Sequence, residues 1–211
     1  LLRHTSGIGY SFTGESAVQR MYVEQRLGSL SKTNAEFSAQ LAALPLMHQP
    51  GSRWEYGQST DVLGRLIEVI SGQGLGSFLR ERILGPLGMV DTAFHVPAGQ
   101  QHRLAEGFAH DPDTGADVRL MKVREAPRFE SGGGGLVSTA LDYARFLQML
   151  QNGGTLEGTR LIGRKTLAWM TSDHVGTIPS GSPLLPPGNG FGLGFAVRLT
   201  PGLDPTPGSA G

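Results

Sequence analysis

The strongest hydrophobic periodicity of the chain lies between residues 59 and 72. Ser59 or Thr60 is predicted to cap a helix there, because a side-chain oxygen at that position accepts a hydrogen bond from the first free N–H groups. Gly72 is predicted to end the helix in the left-handed conformation that glycine adopts easily. Apolar residues at helical spacing predict its core-facing side: Val62, Leu63, Leu66, Ile67 and Ile70.

Weaker patterns predict four more helices. Thr33 and Glu36 have the spacing of a capping box, in which each residue satisfies a backbone N–H of the other at the start of a helix. Proline or glycine follows the segments that end at residues 44, 84 and 150 and is expected to end those helices. In chain order, the predicted helices cover residues 34–44, 78–84, 141–150 and 165–170.

Residues 190–199 alternate small and large apolar side chains and predict a strand. No other segment has a pattern suited to pairing with it. Because an unpaired strand exposes backbone donors and acceptors, its partner is expected outside these 211 residues. Periodicity is weak over residues 91–128, where a polar turn is predicted at residues 111–115.

Charge and composition narrow the class of partner. The 18 Lys and Arg residues balance 18 Asp and Glu residues, and no basic run occurs, so nothing indicates a nucleic-acid or anionic membrane partner. No apolar run approaches the roughly 18 residues that span a bilayer. No signal-peptide pattern is visible either, which leaves a cytoplasmic and a periplasmic bacterial location equally open. The composition fits a small neutral ligand better, and the absence of Cys excludes a cysteine nucleophile.

A glycine-rich segment, residues 131–135, has backbone N–H groups that could bind an anion, but the Gly-Lys-Ser/Thr sequence of a phosphate loop does not follow it. Close backbone packing beside a cleft is the better interpretation, with Gly133 and Gly134 as candidates for the cleft wall. The six histidines lack the spacing of a metal site and are interpreted as structural or exposed. The sequence calls for no metal and no organic cofactor.

Four blocks of the sequence resemble, in the same order, segments of the serine β-lactamase-like family, which includes class C β-lactamases, D,D-peptidases and β-lactamase-fold esterases. The blocks are LLRHTSGIGY, QPGSRWEYGQSTDVLGRLIEVISG, ILGPLGMVDTAF and ESGGGGLVSTALDYARFLQML. The resemblance implies an α/β (α+β) transpeptidase-like fold, in which a helical domain packs on an antiparallel sheet. Residues 1–211 are then one region of that fold, expected to be incomplete at both ends. Residues 1–130 form its mainly helical or irregular part, and residues 131–211 supply a helix and a strand that return to the sheet.

In this family a Ser-x-x-Lys motif supplies the nucleophile and its base. A Tyr-x-Asn loop supplies a second base, and a Lys-Thr-Gly or Trp-Gly-Gly strand lines the opposite wall. The resemblance places Tyr56, in the sequence Tyr56-Gly57-Gln58, at the second base. A phenol with a pKa of about 10 needs a nearby cation to act as a base at neutral pH. From the residues alone, the default interpretation of Tyr56 is a loop tyrosine that packs on Trp54, and the surrounding block reverses it.

Gln58 departs from the Asn of that loop by one methylene. A side-chain amide that is too long misplaces both of its polar atoms, and a misplacement of about 1 Å can cost roughly 100-fold in rate. This departure disfavours β-lactam turnover and favours ester substrates. Tyr56 is therefore predicted as the catalytic residue. Gln58, Trp54, Gly133 and Gly134 are predicted as substrate-binding residues.

A literal Ser-x-x-Lys string occurs at residues 29–32, but the family's order places the nucleophile before the LLRHTSG block. The string also lies in a polar stretch between helices, whereas the motif needs one helix face for both side chains. We therefore expect Ser29 to be an exposed linker residue, and the nucleophile and its lysine to precede Leu1. The 211 residues by themselves are expected to be inactive.

The sequence thus predicts a serine acyl hydrolase of the esterase or β-lactamase type, which attacks a small ester or β-lactam and forms an acyl-enzyme. An acyltransferase, in which an alcohol replaces water, stays open. So does a non-catalytic ligand- or peptide-binding relative that has lost the nucleophile. A Ser-x-x-Lys motif upstream of Leu1 would exclude the binding-only alternative.

Overall fold

The computed structural model describes residues 1–118, 122–180 and 182–203. Its α-helices are α1 (Ala17–Glu24), α2 (Asn34–Ala42), α3 (Ser59–Ser71), α4 (Leu75–Leu79), α5 (Ala140–Gln151) and α6 (Arg164–Met170). A π-helical turn, Arg80–Leu84, continues α4, and two 3₁₀ turns cover Ala98–Arg103 and Pro201–Leu203. Among these described helices, none is both long and apolar enough to cross a bilayer.

The predicted helices are confirmed, with changes at their ends. α2 begins where the capping box predicts: Thr33 Oγ1 accepts from the Glu36 N–H at 3.2 Å, and a Glu36 carboxylate oxygen accepts from the Thr33 N–H at 2.7 Å. Gly72 ends α3 with a φ of 70°, as expected. The predicted serine or threonine cap of α3 is wrong, because Ser59 is already helical and Gln58 is the cap residue.

Helix α1, which is only eight residues long, is absent from the sequence prediction. Its capping box is nevertheless present in the sequence. Ser16 Oγ accepts from the Gln19 N–H at 3.2 Å, and Gln19 Oε1 accepts from the Ser16 N–H at 3.0 Å. Together with α2, this helix encloses the first core cluster, which consists of Ile8, Tyr22, Leu27, Phe37, Leu41 and Phe129.

The side of α3 that is buried within the described structure differs from the predicted apolar side. Val62 packs against the first core cluster, but Ile70 is 77% exposed. The buried residues of the helix are Ser59, Asp61 and Gly64. Small residues lie inward because the glycine-rich segment packs directly against the helix backbone. A Cβ on Gly132 would lie 2.4 Å from the Thr60 carbonyl oxygen, so only glycine fits there.

Two hairpins form the described strands: β1 (Thr155–Leu156) pairs with β2 (Thr159–Arg160), and β3 (Asn189–Phe191) pairs with β4 (Ala196–Arg198). The single predicted strand over residues 190–199 is therefore wrong, and so is the expectation that its partner lies elsewhere. Gly194, with a φ of 90°, lets the chain reverse, and Gly190 then lies opposite Val197 in an antiparallel register. A left-handed glycine inside an alternating run marks a turn as readily as a strand interior.

The polar turn predicted at residues 111–115 is confirmed. Asp111 Oδ1 accepts from the N–H groups of Asp113 at 3.0 Å and Thr114 at 2.7 Å, and Gly115 takes a positive φ of 69°. The surrounding stretch is largely irregular, as its weak periodicity indicates. Residues 119–121 within it lie outside the described residues.

Residues 1–9 lie alongside residues 47–57, and this contact brings the first two conspicuous sequence blocks together. The Met47 N–H donates to the Gly7 carbonyl at 2.8 Å, and the Glu55 N–H donates to the His4 carbonyl at 2.8 Å. Gly7 is required by this approach, because its φ is 81° and a Cβ would lie 2.1 Å from the His48 carbonyl oxygen. The start of the chain thus holds the segment that leads to α3.

Candidate active site

Tyr56 lies in the short connection between the buried Trp54 and the start of α3 and is half-buried. Its ring centroid is 4.6 Å from that of His4, 5.6 Å from that of Tyr10 and 6.1 Å from that of Trp54. The described ring contacts of Tyr56 are therefore with other aromatic side chains. They hold the phenol in place.

His4 supports the backbone immediately after Tyr56. Its Nδ1 accepts from the Gly57 N–H at 3.3 Å, and the residue is almost fully buried. Burial lowers the pKa of His4 from 6.5 to about 4, so the ring is neutral at pH 7 and Nδ1 keeps its lone pair for this bond. His4 also has a φ of 54°, an uncommon conformation for a residue with a Cβ. The expectation that this histidine is structural is confirmed.

The glycine-rich segment is bonded to α3 through Asp61. The Ser131 hydroxyl donates to Asp61 Oδ1 at 2.5 Å, and the Gly133 N–H donates to the same oxygen at 3.1 Å. A Cβ on Gly133 would lie within 3.1 Å of side chains from Asp61, Tyr10 and Thr60, whereas one on Gly134 would meet nothing within 4 Å. Of the two predicted glycines, Gly133 thus belongs to the packed surroundings of Tyr10, and Gly134 faces open space.

Tyr10 connects the glycine-rich segment with Tyr56. Its hydroxyl points toward the Gly133 side, and its ring contacts that of Tyr56 on one face and stacks on Phe12 at 4.8 Å. Burial, and then the nearby groups Asp61 and Tyr56, raise the pKa of Tyr10 well above its usual value. Tyr10 is therefore a neutral phenol across the physiological range and can only donate or accept hydrogen bonds.

Gln58 and Trp54, both predicted to bind substrate, lie in the interior of the described structure. Trp54 has no exposed surface and packs in a core cluster with Val175, Leu185 and Phe191. Neither Gln58 Oε1 nor Trp54 Nε1 has a hydrogen-bond partner among the described residues. The Trp54 ring packs beside the Tyr56 ring. The buried Gln58 amide lies two residues after Tyr56 in the sequence.

Comparison with known proteins identifies the family of the chain. The family model described as Beta-lactamase matches residues 1–211. The chain belongs to the β-lactamase family. This membership confirms the resemblance carried by the four sequence blocks.

Relatives within the β-lactamase family include an uncharacterized protein of Mycobacterium tuberculosis, 38% identical over 208 residues, which cover 95% of this chain and 51% of that protein. Esterase EstB of Burkholderia gladioli is 31% identical over 230 residues, which cover all of this chain and 56% of the esterase. The chain thus spans about half the length of these curated relatives.

Among solved structures, the simvastatin synthase LovD of Aspergillus terreus matches with a TM-score of 0.71 and 27% identity, over 97% of this chain and 53% of that one. The mixed helix-and-sheet architecture is shared, so the predicted α/β fold class is confirmed for this member of the β-lactamase family.

In this family member, Ser29 and Lys32 of the Ser-x-x-Lys string have separate hydrogen-bond partners among the described residues. Ser29 Oγ is 2.8 Å from Ser31 Oγ, and the segment is not helical. Lys32 Nζ donates to the carbonyl oxygens of Gln25 at 3.0 Å and Arg26 at 2.7 Å, where α1 ends. The ammonium group therefore stabilises a helix C-terminus. Ser29 lies in a linker as expected, but it is half-buried rather than exposed.

His4, Tyr10 and Asp61 contact this site but are not singled out by the sequence analysis. All three lie inside the first two blocks that resemble the family. Their spacing carries no signal by itself, because they meet only when residues 1–10 fold against the start of α3. Membership of a matched block is the one sequence feature that points to them.

Proposed function

We propose that the protein containing this chain is a serine acyl hydrolase that cleaves small esters through an acyl-enzyme, with Tyr56 transferring a proton. The observation that carries the proposal is the position of Tyr56: a half-buried phenol held by the rings of His4 and Tyr10 in the motif position of the family. A side chain held in this way suits proton transfer, which depends on orientation within hydrogen-bond reach.

The reaction requires a nucleophilic serine, which in our sequence interpretation precedes Leu1. Its hydroxyl attacks the ester carbonyl, and the proton that it loses passes by way of Tyr56 to the leaving alcohol. Water then attacks the acyl-enzyme and passes one of its protons by way of the same phenol to the serine oxygen, so that the serine hydroxyl is restored and the free acid is released. Atoms and charges balance in both halves, and no cofactor takes part.

Esters are favoured over β-lactams by Gln58. Its amide is one methylene longer than the asparagine of the Tyr-x-Asn loop, and it is buried beside the start of α3. Two relatives support the same substrate class: an esterase from Burkholderia gladioli and a lovastatin esterase from Penicillium rubens, the latter 30% identical over 164 residues.

The test uses the full-length protein and a short-chain nitrophenyl ester. Tyr56→Phe removes only the hydroxyl, and we expect kcat/KM to fall by roughly 100-fold, the usual contribution of a positioned acid or base. Tyr143→Phe is the matched control, because Tyr143 lies exposed on α5. Unchanged turnover in the Tyr56 variant would remove this residue from the mechanism.

Acyl transfer is the second candidate function, and it is favoured by the structural match to a simvastatin synthase. The two are separated by adding an alcohol to the same assay and measuring both products. Ester formation in preference to the free acid would identify a transferase, and the free acid alone would identify a hydrolase. Both reactions pass through the same acyl-enzyme, so Tyr56 has the same role in each.

A further inference from the structure

Asp61 is a buried carboxylate that the proposed reaction does not yet use. It is 3% exposed, lies in the first turn of α3 and accepts two hydrogen bonds at Oδ1, from Ser131 and Gly133. Burying a charge costs more than burying an amide, and an asparagine oxygen could accept the same two bonds. The charge of Asp61 therefore calls for an explanation beyond attaching the glycine-rich segment to the helix.

The second carboxylate oxygen supplies that explanation. Asp61 Oδ2 and the Tyr10 hydroxyl lie 2.9 Å and 3.0 Å from the same point, the position that a Cβ on Gly133 would take. An acceptor and a phenol donor thus line one small space, with the glycine leaving room for both. The Tyr10 ring also contacts Tyr56, and the two ring centroids are 5.6 Å apart.

We propose that Asp61 is a positioning residue for the chemistry at Tyr56, because its charge acts on the neighbouring Tyr10 hydroxyl and its Oδ1 fixes the glycine-rich segment beside the reacting phenol. The inference rests on the proposed function. Asp61 acts through Tyr10 and Gly133, so its removal should lower the rate of the chemical step more than it weakens ground-state binding of the ester.

Asp61→Asn is the direct test in the full-length protein, because it keeps the shape and one acceptor oxygen but removes the charge. We expect kcat for a short-chain nitrophenyl ester to fall by about 10- to 100-fold, with KM changed by less than about threefold. Asp142→Asn is the matched control. Asp142 is equally buried and accepts from the Asp91 N–H and the Thr92 hydroxyl, both at 2.8 Å, but these contacts lie away from Tyr56.

Urea unfolding should show that both asparagine variants are folded, and only the Asp61 variant should lose kcat. If the two variants lose kcat equally, or if Asp61→Asn keeps it, the inference is overturned. Should Asp61→Asn fail to fold, Ser131→Ala removes one of the two bonds to the carboxylate and leaves the carboxylate in place. A several-fold loss of kcat is expected there, and an unchanged kcat contradicts the inference.

A double-mutant cycle with Tyr10→Phe shows whether Asp61 acts through Tyr10. Residues that act as one unit give losses that do not multiply, so the double variant should be about as slow as the slower single variant. Losses that multiply would show independent, merely structural effects. Absence of ester hydrolysis in the unmodified protein, or unchanged turnover of Tyr56→Phe, would overturn the proposed function itself, whereas normal turnover of Asp61→Asn alone overturns only this inference.

Discussion

At the scale of single residues, the surroundings of Tyr56 depend on side chains in unusual states. His4 is buried, neutral and left-handed, and Asp61 is a carboxylate in the interior. Each is stable only because folding supplies a specific partner: the Gly57 N–H for His4, and the Ser131 hydroxyl with the Gly133 N–H for Asp61. Such residues concentrate where a side chain must be held in one orientation, and here that side chain is Tyr56.

The depressed pKa of His4 predicts a loss of stability in acid. Between its usual pKa of about 6.5 and its folded pKa of about 4, the unfolded chain binds a proton that the folded chain does not. The free energy of unfolding should therefore decrease as the pH falls from 7 to 4, by about 3 kcal/mol from this group. Urea unfolding of the full-length protein at several pH values measures it.

His4→Asn is the variant that isolates this effect, because Asn offers an acceptor oxygen, tolerates positive φ and does not titrate. Its unfolding free energy should lack the acid-dependent component that the unmodified protein shows. His102→Asn, at an exposed histidine, should keep that component. Identical pH dependence in the unmodified protein and in the His4 variant would contradict the prediction.

Gly133→Ala should impair the site by crowding. Its Cβ would lie 2.9 Å from Asp61 Oδ2 and 3.0 Å from the Tyr10 hydroxyl, closer than ordinary van der Waals contact. We expect ester turnover to fall by roughly tenfold, because both groups must move by a few tenths of an ångström. Gly99→Ala is the control, since a Cβ there meets nothing within 4 Å. Equal turnover in the two variants would exclude this packing as a determinant of activity.

At the scale of elements, local sequence signals predict where helices begin and end better than they predict which side of a helix is buried. The capping box at Thr33 and Glu36 and the terminal Gly72 lie where the sequence predicts, because these contacts join residues close in the chain. The buried side of α3 differs from the predicted one, because a glycine-rich segment far along the sequence covers it. The alternating run at residues 190–199 predicts one strand, but the segment forms a hairpin, because Gly194 with its positive φ lets the chain reverse.

Thr33→Ala should destabilise the protein by about 1 kcal/mol, the usual loss when an N-cap hydroxyl is removed. The hydroxyl accepts from the Glu36 N–H, and alanine leaves that donor without its partner. Thr33→Ser restores the acceptor and should recover most of the loss. The midpoint of urea unfolding measures the difference, and an alanine variant as stable as the serine variant would show that the capping box contributes nothing.

At the scale of the whole molecule, segments far apart in sequence build the setting of Tyr56. The start of the chain lies along residues 47–57, and the Arg3 guanidinium donates to the His174 carbonyl at 2.6 Å. The backbone N–H of Trp54 donates to the Pro179 carbonyl at 3.0 Å. The ring of Phe191 in β3 packs on the Trp54 indole. Trp54 is therefore the point at which three parts of the described chain meet behind the candidate active site.

The sequence by itself determined the family, most helices and the candidate Tyr56, because motif blocks, caps and periodicity are local properties of the chain. Only the tertiary structure showed that His4, Tyr10 and Asp61 surround this phenol and its helix. Their contacts join residues 46 to 72 positions apart, and no period or spacing along a chain encodes such a meeting. Only the tertiary structure also showed that Gly133 is packed against side chains whereas Gly134 faces open space, because the space around a backbone position is set by packing.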